Sequence, residues 1–340
     1  MQAEPKVELR DVAVLVTGGA GFIGSELSRQ LCAHGALVQV VDNLANGKRE
    51  NLAGLPPDRV CLHVVDIRAQ DCLPELLVGI KIVFHLACLG VRHSIHSPYE
   101  NHEVNAEATL RLLELARRAG VERFVYVSSS EVYGTGSGRM SENYPAFPNT
   151  VYGASKLAGE CYARAYYRTY GYPTVMVRPF NAYGPRCHHE GDSGEVIPKF
   201  MLRCLAGKPM IIFGDGTQVR DFTYVSDVAG GILLAGVVDE CIGKTINFGS
   251  KQPVTINELA QEIAKVAGVT NPQIQYEASR PGDVLYLSPD TTLAQQLLGF
   301  KPRVPLRRGL ELLRDWYLSS GVSPERLLEA EVAFNWEKPG

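Results

Sequence analysis

Short apolar runs recur along the first half of the chain, each followed by a stretch of helical spacing. Residues 12–16 are all apolar and rich in β-branched side chains, the pattern of a strand buried on both faces, and a helical period follows over 25–34. The same reading gives strands at 37–41, 60–65, 81–86 and 123–127, helices at about 99–119 and 151–170, and a sixth strand at 173–178. Strands and helices in turn predict an α/β fold, a parallel sheet with helices on both faces and ligands at the carboxyl ends of the strands.

Beyond residue 180 the alternation loosens. Residues 180–186 (FNAYGPR) read as a loop, followed by a helix at about 195–206, a strand at 210–213 and a turn at 214–217. Thr255 and Glu258 form a capping box that opens a helix to about 267, and 306–318 has the spacing of a last amphipathic helix. No repeat or low-complexity linker divides the chain.

Composition narrows the class. With 340 residues, 45% hydrophobic and 21% charged, the chain is ordinary globular protein, long enough for two domains or one large unit with an insertion. A formal charge of −3 leaves no basic surplus for nucleic acid. Residues 1–10 carry charges where a leader needs an apolar run, and no stretch approaches ~18 apolar residues, so a cytoplasmic protein with no membrane partner is expected. The 8 cysteines are scattered without a CxxC pair, which suits reduced thiols. Cys187, His188, His189, Glu190 and Asp192 crowd together in sequence, but adjacent residues point in different directions and metal-ligand spacings are absent. His93 and His96 read as loop residues, and no metal is expected.

The first candidate chemistry lies between the first strand and its helix. In Thr17-Gly18-Gly19-Ala20-Gly21-Phe22-Ile23-Gly24, glycines 18, 21 and 24 let backbone amides and the positive end of a helix approach a pyrophosphate. The second strand ends in Asp42, where a carboxylate accepts hydrogen bonds from both ribose hydroxyls of an adenosine and repels a 2′-phosphate. NAD is therefore expected over NADP, with Lys48 and Arg49 taken as surface charges. These features make the sheet a Rossmann-type doubly wound one. Asp66 and Ile67, ending the third strand, are placed to meet an adenine, and Ala87 to let backbone approach the cofactor.

The second candidate is Tyr152-Gly153-Ala154-Ser155-Lys156. Four residues apart on a helix, Tyr152 and Lys156 share a face. A phenol titrates near ~10, and an ammonium one turn away, with a cationic nicotinamide beside it, favours the phenolate. Such a pair can take a proton from a sugar hydroxyl while hydride leaves the same carbon. Taken alone, the spacing equally fits an ordinary helix with one exposed tyrosine and one lysine, so its company decides.

That company is TGGAGFIG at 17–24, Asp42, Asp66-Ile67, HLA at 85–87, SSSEVYG at 128–134, YGASK at 152–156 and RPFNAYGPR at 178–186. Together these resemble the extended short-chain dehydrogenase/reductase family over nearly the whole chain, to about residue 317. The resemblance implies a bound NAD, a nucleotide-diphosphate sugar substrate and a homodimer built from the 99–119 and 151–170 helices, with Leu110, Leu113, Leu157 and Tyr166 as surplus apolar residues. It implies an NAD-binding domain over 1–180 and a smaller, mainly nucleotide-sugar-binding α/β lobe over 181–340, with some chain returning to the sheet. Gly18, Gly21, Phe22, Ile23, Gly24, Asp42, Asn43, Asp66, Ile67, Leu86, Ala87, Asn105, Ser128, Tyr152 and Lys156 are then the cofactor residues, and Asn181, Arg220 and Arg280 the substrate residues. Without the family, each of those arginines would read as a surface residue.

The resemblance also implies the chemistry. Tyr152 acts as base with Lys156 as its electrostatic partner, and Ser129 hydrogen-bonds the sugar's C4 oxygen. Oxidation at C4 gives a 4-keto sugar whose C5 is acidified. The fate of that ketone depends on Glu131, in the position that carries a catalytic glutamate in dehydratases and decarboxylases of the family. Elimination of the 4,6-dehydratase type is the leading expectation, with a 4-epimerase acting on a uridine-diphosphate hexose or hexuronate as alternative and a glucuronate-type decarboxylase as a further one. Ser130 replaces the aspartate of some dehydratases, which leaves the acid for C6 departure unassigned.

Overall fold

The computed structural model describes residues 7–69 and 71–337; residues 1–6, part of the stretch read as too charged for a leader, lie outside them. Seven strands form one parallel sheet: β1 (Ala13–Thr17), β2 (Leu37–Asp42), β3 (Val60–Val64), β4 (Ile82–His85), β5 (Arg123–Val127), β6 (Thr174–Pro179) and the late strand Thr245–Phe248. Their order is Thr245–Phe248, β6, β5, β4, β1, β2, β3. Because β1 pairs with both β2 and β4, the connections diverge on either side of it. The crevice this opens at the carboxyl edge is where such sheets bind ligands.

Alternation along β1 shows why the sheet needs cover on both sides. Val14 and Val16 enter one core with Leu27, Leu31, Val228 and Ile232, whereas Leu15 enters another with Leu112, Phe124 and Tyr126. The Phe22–Ala33 and Val225–Val237 helices cover the first face. The Ala108–Arg118 and Val151–Tyr170 helices cover the second. A third core joins the Val196–Leu205, Ile256–Ala267 and Leu306–Ser319 helices through Phe200, Met201, Leu259, Ile263, Leu310 and Leu313.

Local signals place their elements closely. Thr255 caps its helix through the Glu258 amide, and Glu258 reaches back to the Thr255 amide. The expected single helix over 99–119 is instead Pro98–His102, a π turn Glu103–Glu107 and Ala108–Arg118. In this arrangement Asn101 and Asn105 both face the loop after β4, where Asn101 donates to the carbonyls of Leu89 and Gly90, and Asn105 to that of Leu89. The Val225–Val237 helix was not legible, because most of its positions are buried and it lacks a polar face. Of the apolar residues expected to be surplus on the dimer helices, Leu113 is fully buried in its own core and cannot pair with another copy. Among the described residues, no helix is long and apolar enough to cross a membrane, and all eight cysteines are unpaired.

Candidate active site

The glycine loop is set by contact distances. Gly18 has φ of +68° and a Cβ there would lie 2.7 Å from the Ala87 nitrogen; a Cβ on Gly24 would lie 2.1 Å from the Gly18 carbonyl oxygen. Only glycine permits the first backbone conformation and both close approaches. Thr17 Oγ1 accepts the amides of Leu86 and Ala87, fixing that second loop against the first. The 12-residue helix at Phe22 then starts with no side-chain cap, leaving its first amides free for an anion at the cleft.

Asp42 closes this end. Its carboxylate accepts the amides of Ala20 (3.0 Å) and Leu44 (2.9 Å), and burial raises its pKa against these bonds. Asp66 accepts hydrogen bonds from Asn43 and Arg68, chiefly Arg68, which hold it down to about 2. Lys48, read as a surface charge, bonds Glu190 at 2.5 Å and ties two loops together.

Toward the middle of the cleft stand Ser128, Ser129, Ser130, Glu131, Tyr152 and Lys156. Lys156 is 2% exposed, its ammonium 4.9 Å from the centre of the Tyr126 ring, and desolvation lowers its pKa. Tyr152 is hydrogen-bonded to the Ser129 hydroxyl, yet desolvation pushes its pKa well above the ordinary value. That reverses the expectation from helical spacing: within the protein chain alone, burial outweighs the ammonium one turn away. Ser129 Oγ also accepts the Glu131 amide at 3.2 Å, and Ser128 Oγ is buried without a partner.

Glu131 itself is half-buried in the cleft wall. Its carboxylate accepts no hydrogen bond and forms no ion pair among the described residues, and desolvation raises its pKa against the fields of Arg220 and Arg280. Glu195 contrasts with it. Burial works to raise Glu195 too, but the charge and hydrogen bond of Arg92 at 2.9 Å, together with the fields of Arg280 and His188, outweigh it and hold the carboxyl below its ordinary value. Arg92 and Glu195 line the same cleft and were missed by sequence reading, whose only signal was an arginine close behind the strand-end HLA.

Arg220 and Arg280 converge on one oxygen, Asp283 Oδ1, at 2.9 and 2.5 Å. Asn181 lines the cleft with its Oδ1 buried and unpartnered. Asn105 is the outlier among the expected site residues: it lies behind the wall, its Oδ1 accepting the Leu89 amide and its Nδ2 donating to Ser155 Oγ. His93 and His96, read as loop residues, instead lie on the short helix Val91–His96. His93 Nδ1 and His96 Nε2 meet Asp192 Oδ2 at 3.1 and 3.2 Å, and His93 Nε2 meets Glu100 at 3.0 Å.

A glycine loop at a helix start, the carboxylate that ends β2 and the Ser129, Tyr152 and Lys156 side chains thus share one cleft. The family model described as NAD dependent epimerase/dehydratase matches residues 14–249. The chain belongs to the NAD dependent epimerase/dehydratase family. It is 37% identical over 302 residues to a UDP-glucose 4-epimerase of Mycolicibacterium smegmatis, covering 87% of this chain and 95% of the relative. It is 34% identical over 322 residues to a UDP-N-acetyl-alpha-D-glucosaminuronate decarboxylase of Bacillus cytotoxicus, covering 89% and 97%. The crystal structure of the dTDP-glucose 4,6-dehydratase DesIV from Streptomyces venezuelae, with NAD and TYD bound, superposes with a TM-score of 0.86 at 35% identity, covering 91% of this chain and 98% of that one. The protein is thus an enzyme of a nucleotide-sugar epimerase/dehydratase family with NAD as cofactor, and the relatives span all three reaction branches.

Proposed function

We propose that this enzyme oxidises a nucleotide-diphosphate sugar at C4 and then eliminates water across C5 and C6, with Glu131 as the group that handles the C5 proton. The observation that carries this reading is the state of the Glu131 carboxyl, unpaired and raised in pKa beside Tyr152 and Ser129. Two carboxyls in one cleft are driven apart: desolvation raises the pKa of Glu131, whereas the charges and hydrogen bond around Glu195, Arg92 foremost, lower its pKa.

The residues present fit NAD: the glycine loop and the uncapped helix start take its pyrophosphate, and Asp42 its adenosine ribose. Bound there, NAD supplies the hydride acceptor, and its positive ring favours the Tyr152 phenolate that burial opposes. Ser129 bonds the C4 oxygen, and Tyr152 takes the C4 hydroxyl proton as the C4 hydride leaves. Lys156 offsets the charge left on the phenolate. With C4 a ketone, Glu131 removes the C5 proton, the C5 electron pair forms the C5–C6 double bond, and the C6 oxygen departs. No carboxyl stands at 130, so the proton that leaves with that oxygen as water is returned by Glu131 itself. The hydride taken from C4 is then returned to C6 and a proton, equal to the one Tyr152 took, to C5, so that the net change is the loss of one water. Arg220 and Arg280 hold the diphosphate, where guanidinium groups match phosphate oxygens in pairs.

Incubation with uridine-, deoxythymidine- and guanosine-diphosphate sugars, read by product mass, tests the assignment. Loss of water supports it. An epimer of unchanged mass, or loss of carbon dioxide, replaces it with the corresponding branch.

A further inference from the structure

Residues 331–337 lie outside every motif so far described, yet Glu331, Ala333, Asn335 and Trp336 line the cleft. The segment is fixed from two sides. Asn335, 4% exposed, spreads its Nδ2 over the carbonyls of Gly191, Asp192 and Gly194 at 3.4, 3.3 and 3.1 Å. On the other side, Lys199 Nζ donates to the Val332 carbonyl at 2.7 Å, and Arg203 Nε pairs with Glu331 at 2.9 Å. So anchored, it sets the Trp336 ring edge-on to Phe213, centroids 4.7 Å apart, with Phe334 5.6 Å from both.

This aromatic wall adjoins the arginine pair. Phe213 ends the strand Met210–Phe213, and its carbonyl accepts Gln218 Nε2 at 2.6 Å; the same nitrogen lies 3.4 Å from Asp283, the carboxylate on which Arg220 and Arg280 converge. With Nε2 committed to that carbonyl, the orientation of the amide is set, and Gln218 Oε1 remains buried with no partner in a residue only 6% exposed that lines the cleft. A flat apolar surface and an unused acceptor, next to a diphosphate grip, match a base with a π face and an N–H on its edge.

We propose that residues 331–337 complete the nucleobase end of the substrate site, Trp336 and Phe213 forming its aromatic wall and Gln218 Oε1 accepting the imide N–H of a uracil or thymine ring. Cytosine presents an acceptor at that ring position and is disfavoured. The inference rests on the nucleotide-diphosphate-sugar reading above and assigns its base specificity.

Calorimetric titration of the NAD-loaded enzyme with uridine, thymidine and cytidine 5′-diphosphates separates the two. Wild type is expected to bind the uridine and thymidine nucleotides and to bind the cytidine one more weakly, and W336A to bind the first two about tenfold more weakly than wild type with NAD affinity unchanged. W336F, which keeps an aromatic face, is expected to recover most of the loss. A second measurement does not need W336A to fold. The chain has 2 tryptophans, so W316F leaves Trp336 as the sole emitter, and its fluorescence should change on addition of uridine 5′-diphosphate. W336A affinity within twofold of wild type, or constant W316F emission at saturating nucleotide, overturns the wall. Equal affinity for cytidine and uridine nucleotides overturns the role of Gln218. Absence of any nucleotide binding by wild type overturns the substrate class itself.

Discussion

Arg178 grips Glu160 through two parallel hydrogen bonds, Nε to Oε1 at 2.8 Å and Nη2 to Oε2 at 2.6 Å, with both side chains buried. The pair pins the Tyr152–Lys156 helix to β6. Its guanidinium also lies 4.6 Å from the centre of the Tyr133 ring, whose hydroxyl donates to Asn247 on the late strand. The orientation of the catalytic helix is thus tied to the sheet edge.

Breaking that pair should leave a buried guanidinium without its charge partner. Glu160→Gln is expected to lose ~3–5 kcal/mol of stability, read from urea unfolding. A loss below ~1 kcal/mol would show that the clamp contributes little.

Tyr152→Phe keeps the ring and removes the proton acceptor. Oxidation at C4 should fall by roughly 10² to 10⁴ while NAD still binds, since that is the range for a positioned general base. Near-normal turnover would move the base elsewhere, with Ser129 the next residue to replace.

Glu131→Gln should still produce NADH absorbance on mixing with substrate but stop before water is lost. In the wild type the working form is the carboxylate, so the elimination rate should fall as pH drops through the raised pKa of Glu131, and initial C4 oxidation by the variant should lack that limb. Stability has the opposite sign. Between the ordinary value of 4.5 and the raised folded value the native state holds more protons, so stability falls as pH rises across that window, and the variant should lose this slope. An unaltered product and rate in Glu131→Gln would sink elimination and promote the epimerase.

Asp42→Asn should narrow the preference for NAD over NADP, because the charge that repels a 2′-phosphate is gone; the amides of Ala20 and Leu44 donate to separate oxygens, so one of them keeps an acceptor. Calorimetric affinities for the two cofactors check it. An unchanged ratio would place the discrimination in another residue.

Pairing of two copies through the Val151–Tyr170 helix and its neighbour is proposed from the apolar surface left there. Tyr99, Tyr167 and Tyr170 are 87%, 38% and 56% exposed, respectively. Light scattering at micromolar concentration should give twice the 37.2 kDa of one chain, and a monomer mass would contradict it.

The sequence alone determined what depends on neighbours in the chain. A buried strand shows as an unbroken apolar run, a phosphate loop as glycines at fixed spacing, and the Thr255 cap as a hydroxyl three residues before a glutamate, because each is built within a few residues of backbone. Tertiary structure decided what depends on partners far along the chain. Arg92 meets Glu195, His93 meets Asp192 and Asn335 meets Gly194 only after folding, and no local pattern marks such pairs. The same is true of charge: spacing placed Lys156 beside Tyr152, but burial, which is a property of the whole surround, set the direction of both pKa values. Burial likewise erased the polar face that would have revealed the Val225–Val237 helix, since an element covered on most sides carries no periodic contrast to read.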